Sequence, residues 1–358
     1  MERCRSRHQH GCLPIASRDG SQTDRECGSM IHLDDIAFIG EGLSRPESVL
    51  TTRSGDIFVS HKGHGVMRIC SDGSQYLLQG PSEFGGMPVV PNGISLRPDG
   101  SFLIANIADA GGVLELDGDG IRPHPVSQRG NVLPPVNFVL VDQVGKIWVT
   151  VSSKMQPRSR AYRRDVKNGY VGLINPDDTF SVVLKDLHYT NEVRPDYENG
   201  WLYIAETFGQ KISRVRLDEN GVHGEPKIFV QFPPGTFVDG IELDTNGGLY
   251  AACIVSSELY HIDAGGSPTL IVGERNASWI DEVEAALTAN TMGRQHFDSS
   301  PATVLPNISS VAFLGENQDK IVCGNLLGQS LPVLDAPHPG QKPAHWGVNV
   351  PKWGERQV

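Results

Sequence analysis

A polar residue at the head of a short strand, then a tight turn, then an apolar strand: this phrase occurs six times in the chain and limits its fold more than any other feature. The polar residues are Glu47 (Arg45-Pro46-Glu47-Ser48-Val49), Asn92 (Pro91-Asn92-Gly93-Ile94), Asn137 (Val136-Asn137-Phe138), Asn191 (Thr190-Asn191-Glu192-Val193), Asp239 (Val238-Asp239-Gly240-Ile241) and Asn307 (Pro306-Asn307-Ile308-Ser309). Each is followed by an apolar strand such as Ile57-Phe58-Val59, Phe102-Leu103-Ile104, Trp201-Leu202-Tyr203-Ile204 or Leu249-Tyr250-Ala251. Successive copies lie 45, 45, 54, 48 and 68 residues apart, room for about four strands each. One such hairpin pair cannot bury both its faces, so neighbours must stack, and a closed ring leaves no unit without a partner. The expected fold class is all-β, a six-bladed β-propeller with a short helical insertion between blades 5 and 6. A β-sandwich would not place one polar residue at one phase of every unit.

The blades are expected to start near residues 45, 90, 135, 189, 237 and 305, inside a domain spanning 29–335. Insertions fall at 151–170 and 273–303. The first is basic, with Lys154, Arg158, Arg160, Arg163, Arg164 and Lys167. In the second, Trp279, Ile280, Val283 and Leu287 share one helical face, with Ser278 and Asp281 placed as a capping box. Residues 1–28 lack period and are expected to be disordered or tag-derived; 336–358 form an irregular Pro- and Trp-containing tail, expected to pack across the outside.

The 40 glycines and 24 prolines suit short strands and many turns. A net charge of −11 argues against a nucleic-acid partner. The six cysteines include no Cys-x-x-Cys pair, and no apolar run reaches membrane-spanning length, so free thiols in a reducing, cytoplasmic setting are expected, with no membrane partner. The oligomeric state is left open.

In a propeller the first strand of each blade lines the central channel. Residues heading those strands therefore ring one mouth of it, here Glu47, Asn92, Asn137, Asn191, Asp239 and Asn307. Carboxylate and amide oxygens so arranged suit a hard divalent cation, and two carboxylates balance its charge. The alternative is that the Asn residues only make turn bonds to the backbone. The second strand of each blade returns to the same mouth, which brings His61, His64, Glu206, Phe208 and both insertions beside the ring as candidate lids and specificity elements.

These residues resemble the SMP-30/gluconolactonase family, also described as luciferin-regenerating-enzyme-like. The likeness is carried by Asn191 with Tyr203-Ile204-Ala205-Glu206-Thr207, by Pro91-Asn92-Gly93-Ile94 with Pro98-Asp99-Gly100, and by Val238-Asp239-Gly240-Ile241 with Gly248-Leu249-Tyr250-Ala251. The resemblance implies one axial divalent cation held by Glu47, Asn191 and Asp239, with Asn137 near both metal and substrate. Calcium is expected first, with Zn2+, Mg2+ or Mn2+ as alternatives. It also implies a metal-dependent hydrolase of a lactone or related small ester. Val136-Asn137-Phe138 and Thr190-Asn191-Glu192 depart from the usual Asn-Asp and Asn-Gly phrases; they keep the ligands and leave the substrate open. Asp239, His61 and His64 are the candidate bases. Asn92, Asn137, Glu206, Phe208 and Arg163 are the candidate contacts to a small-molecule substrate, Arg163 as a carboxylate fork. No Gly-x-Ser-x-Gly elbow is present, which argues against a serine hydrolase. Two other readings stand beside this one: a non-hydrolytic propeller enzyme (isomerase, lyase or strictosidine-synthase-like condensing enzyme) and a binding module with a structural metal.

Overall fold

The structure is a computed structural model describing residues 30–63, 65–84, 86–127, 133–351 and 356–357. Residues 1–28 and His64 therefore lie outside what it describes. Six antiparallel sheets follow one another as blades. Their inner strands are Val49–Thr51, Pro91–Leu96, Phe138–Val141, Thr190–Asp196, Phe237–Leu243 and Ile308–Leu314. Each packs against the inner strand of the next blade, and the last returns to the first, so the ring is closed. The chain is a six-bladed β-propeller with one α-helix, Ala277–Thr288, between blades 5 and 6. Among the described residues no helix is long and apolar enough to cross a membrane.

Closure uses the strand ahead of the first repeat. Ala37–Ile39 pairs antiparallel with Leu331–Asp335 and becomes the outermost strand of blade 6, Ala37 facing Val333 and Ile39 facing Leu331. Blade 6 is thereby built from strands at the start and at the end of the propeller. Between blades the sheets interleave large apolar side chains: Phe58 and Phe102 join blades 1 and 2 with ring centroids 5.2 Å apart, and Tyr250 and Phe313 join blades 5 and 6 at 5.5 Å. Each fully buried ring of this kind contributes about 1.5–3 kcal/mol.

Close passage between inner strands explains the glycines that follow Asn92 and Asp239. A Cβ on Gly93 would lie 2.8 Å from Phe138 Cα, and one on Gly240 2.5 Å from Ser309 O and 2.6 Å from Ser310 Cα. These glycines keep adjacent blades in contact and are not needed for a turn.

The tail takes a different course from the one expected. Residues 338–346 cross the propeller at the mouth opposite the ring. Gln341 N bonds Leu243 O at 3.0 Å, Arg53 N bonds Trp346 O at 2.9 Å, and His338 stacks on His261 with centroids 4.2 Å apart. His345 is buried at 5% exposure and Trp346 at 8%. The tail thus plugs one end of the channel.

Cys70, Cys253 and Cys323 are free thiols.

Candidate metal and substrate pocket

A β-bulge interrupts four of the six inner strands, in blades 2, 4 and 5 at the polar position and in blade 6 just after it. The register shifts between Pro91 and Ile94, Thr190 and Val193, Val238 and Ile241, and Ile308 and Ser310. A bulge bends the strand and re-aims the side chain at that point. In blades 1, 3 and 6 the polar residue stands just ahead of the strand. The outcome is one pocket on the axis that Glu47, Asn137, Asn191 and Asp239 line together.

Asn191 and Asp239 meet head to head through Asn191 Nδ2 and Asp239 Oδ1. Asn191 Nδ2 also approaches Thr207 Oγ1 at 3.2 Å. Turning that amide over would present its oxygen beside the carboxylate. Glu47 forms an ion pair with Arg45, yet its buried Oε2 has no directed hydrogen bond. Asn137 Nδ2 donates to Ser152 Oγ at 2.8 Å, leaving its oxygen to accept from Asn92 at 3.2 Å. Burial pushes the Asp239 carboxyl well above the usual carboxylate range, and the neighbouring charges of Glu47 and Glu192 push it further. The pocket therefore crowds two carboxylates together, and the nearby guanidinium groups of Arg45 and Arg158 offset part of that repulsion.

Among the described residues no three His, Cys, Asp or Glu side chains cluster as a metal site. A cation here would need the amide oxygens of Asn137 and Asn191 alongside the two carboxylates. That donor set, two carboxylates and two amide oxygens with the Asp239 carboxyl raised by burial and by its like-charged neighbours, fits a hard divalent ion.

The other expected contacts divide. Asn92 stands one layer behind the pocket, with Nδ2 donating to Asn137 O at 2.9 Å and Oδ1 accepting from Arg45 at 3.2 Å. Asn307 does not reach the ring. Its Nδ2 donates to Phe297 O at 2.9 Å and its Oδ1 accepts from Val255 N at 3.1 Å, which anchors the second insertion. Glu206 is displaced from the pocket. It faces the outside of blades 3 and 4, receiving Ser213 Oγ at 2.5 Å, His188 N at 2.8 Å and Lys211 at 3.3 Å, a fully satisfied structural set. Arg163 is displaced too. It is half-buried and holds Asp165, two residues along, just after the turn Arg158–Ala161. His61 ends the second strand of blade 1, buried, and does not line the pocket.

Phe208 supports the pocket from behind its wall. It packs on Tyr189 at 4.6 Å and Tyr162 at 5.3 Å, and Tyr162 packs on Phe297 at 5.1 Å. These rings join both insertions in one apolar cluster with Ile280, Val283 and Leu287 of the helix. Glu284 latches the same layer by accepting from Arg164, Gln210 and Gly235 N. The helix is capped by Asn276, whose oxygen accepts Trp279 N at 3.0 Å, rather than by Ser278. The lid so formed narrows the pocket to about 30 Å3, room for an ion or a water or two.

Arg45, Arg158, Tyr162, Tyr189, Thr207, Arg294 and Phe297 also line it, with apolar Ile107, Ile254 and Leu326, and the sequence pattern does not single them out as site residues. Arg45 lies two residues before Glu47, and its place on the same approach to the axis is the signal that could have found it. Among the lid residues only Arg158 carries a signal, as one of six basic residues in the first insertion.

Residues 133–278 match the family model for the SMP-30/Gluconolactonase/LRE-like region. No curated protein matches the sequence. Among solved structures, a gluconolactonase from Xanthomonas campestris is 16% identical with a TM-score of 0.62, the match covering 88% of this chain and 96% of that one. A luciferin-regenerating enzyme is 14% identical with a TM-score of 0.62, covering 88% and 98%. A calcium-binding protein, regucalcin from Agrobacterium tumefaciens, is 13% identical with a TM-score of 0.56, covering 85% and 96%. At these identities the structural likeness is one of fold, and it extends over all six blades. The family match runs from the approach to blade 3 up to the lid helix, so it takes in Asn137, Asn191 and Asp239 but not Glu47.

Proposed function

We propose that this protein is a divalent-metal-dependent hydrolase of a lactone or related small ester, with calcium the preferred ion. The observation that carries the reading is the convergence of Glu47, Asn137, Asn191 and Asp239, from four separate blades, on one axial pocket. The gluconolactonase of similar fold and the calcium-binding regucalcin support it.

Glu47, Asn191 and Asp239 would hold the ion, with Asn137 beside it. When bound, the ion supplies Lewis-acid polarisation of the substrate carbonyl and favours the ionised form of the carboxylates. Asp239 is the base: its carboxylate takes a proton from the attacking water as the new C–O bond forms. It then returns that proton to the ring oxygen as the lactone C–O bond breaks. Asn137, fixed by Ser152 and Asn92, orients the carbonyl. The lid excludes bulk water during the reaction and must swing away for a lactone to enter, given the small free volume beneath it.

The test is a panel of lactones and aryl esters assayed with and without chelator, beside metal analysis of the purified protein. Turnover that chelation abolishes and calcium restores supports the hydrolase; turnover indifferent to chelation would sink it. The small free volume beneath the lid favours one competing reading, a propeller whose ion is structural. That reading expects chelation to lower the melting temperature with no lactone or ester turned over.

A further inference from the structure

Three guanidinium groups, Arg45, Arg158 and Arg294, line a pocket whose carboxylates are Glu47 and Asp239. They are not equally occupied. Arg294 is held by Asp298 through its Nε, 3.2 Å from Oδ2, and through a second, shorter contact. Arg45 pairs with Glu47 and also donates to Asn92. Arg158 makes no close ion pair and no hydrogen bond among the described residues and feels Glu47 and Asp239 only through longer-range attraction; it lies over the Tyr189 ring, 5.8 Å from its centroid. It comes from the turn Arg158–Ala161 of the first insertion, so the lid itself carries a spare cation to the axis.

Charge counting then constrains the ligand. A divalent ion balances Glu47 and Asp239. Arg294 remains balanced by Asp298. Arg45 loses its share of Glu47, and Arg158 gains nothing. The loaded pocket would carry an excess of two positive charges, under a lid that excludes water and therefore strengthens their field. A neutral substrate leaves that excess uncompensated; a substrate with its own carboxylate does not.

We infer that the substrate carries a carboxylate in addition to its lactone or ester, gripped by Arg158 from the lid with Arg45 as second donor. A guanidinium presents a planar fork that suits such a group. The inference rests on the hydrolase reading for the lactone, though not for the anion.

The experiment compares two lactones that differ only by a carboxylate, an aldonolactone and an aldarolactone, in calcium-containing buffer. The ratio of their kcat/KM values is the readout. A preference for the aldarolactone of about 10–100-fold is expected, the range for a charge-assisted hydrogen bond. In Arg158→Gln the ratio is expected to fall to about one, with the change in KM, and Arg158→Lys to recover part of it. A wild-type ratio near one, or a ratio unchanged in Arg158→Gln, would overturn the inference. Calorimetric titration with the open-chain aldarate dianion provides a readout without turnover. Binding that Arg158→Gln weakens at least tenfold, with calcium affinity unchanged, supports the anion site even if neither lactone is hydrolysed. No binding to the wild-type protein, or equal binding to the variant, overturns it.

Discussion

Asp239 has two demands on it that conflict until something positive arrives. It sits buried at 4% exposure against Asn191, and burial together with Glu47 and Glu192 raises its carboxyl well above the ordinary range. In the metal-free protein the native state therefore binds the carboxyl proton more tightly than the unfolded chain does. Stability then falls as pH rises from the ordinary carboxylate value towards the raised one. A divalent ion displaces that proton, so calcium affinity is expected to climb with pH and binding to release protons. Calorimetry in buffers of different ionisation enthalpy measures both. Asp239→Asn is expected to abolish proton release, to cut calcium affinity at least about 100-fold, and to raise the melting temperature of the metal-free protein at neutral pH by removing a buried ionisable group. A variant that still binds calcium as tightly, with the same proton release, would show that Asp239 is no ligand. That Glu47, Asn137, Asn191 and Asp239 belong together is legible in the sequence because period and phase survive folding. That Arg158 rather than Arg163 reaches the pocket is not. Six basic residues lie within 14 positions of one insertion, and only the turn Arg158–Ala161, with Asp165 waiting for Arg163, separates them.

At the scale of elements, the bulged inner strand is the device that converts a β-ladder into a binding site. It requires that the next blade pass within van der Waals contact of the residue after the ligand. Gly240→Ala would drive a methyl into Ser309 O and Ser310 Cα, both backbone, so neither can rotate aside. A loss of about 1–3 kcal/mol is expected in urea unfolding, with calcium affinity falling as Asp239 is displaced. A stability unchanged within error would show that the blades can part there. The lid obeys a different logic. Its latch, Glu284, gathers Arg164, Gln210 and the Gly235 amide, while its apolar layer stays closed by aromatic packing. Glu284→Ala is expected to change global stability by less than about 1 kcal/mol and to speed hydrogen exchange in residues 156–165 and 277–297. Unaltered exchange would place the latch elsewhere. The helix at the heart of this lid is readable from Trp279, Ile280, Val283 and Leu287 on one face. Its cap is not the one the spacing suggests: Ser278 and Asp281 stand the right distance apart, but Asn276 precedes them and takes the Trp279 amide first. The strand Ala37–Ile39 is readable as a strand, while its membership of blade 6 depends on contacts some 300 residues away that no local pattern encodes.

The whole molecule is a channel closed at both ends by different means: a lid at the ring and a tail at the opposite mouth. Proline-rich and aperiodic, the tail gives no sign in the sequence that it re-enters the propeller. What holds it is burial of Trp346 and His345 beside Arg194, whose guanidinium already serves Glu192 at 2.8 Å and Glu242 at 3.0 Å. Glu242, Asp142 and Lys342 are the other charged groups around this end. Burial, helped by the Arg194 charge, lowers the His345 imidazole to about 4. The folded state thus resists protonation that the unfolded chain accepts near pH 6.5. Its contribution is complete above about 6.5 and is lost as pH falls towards 4, since in that window the unfolded form binds more protons. Acidification is therefore expected to release the tail, raising hydrogen exchange across residues 338–348 between pH 6.5 and 4 before the blades themselves unfold. His345→Phe, which keeps the packing and removes the titrating group, should flatten that response. If wild type and variant lose tail protection at the same pH, the plug is held by Trp346 and the backbone bonds alone, and His345 takes no part in its release.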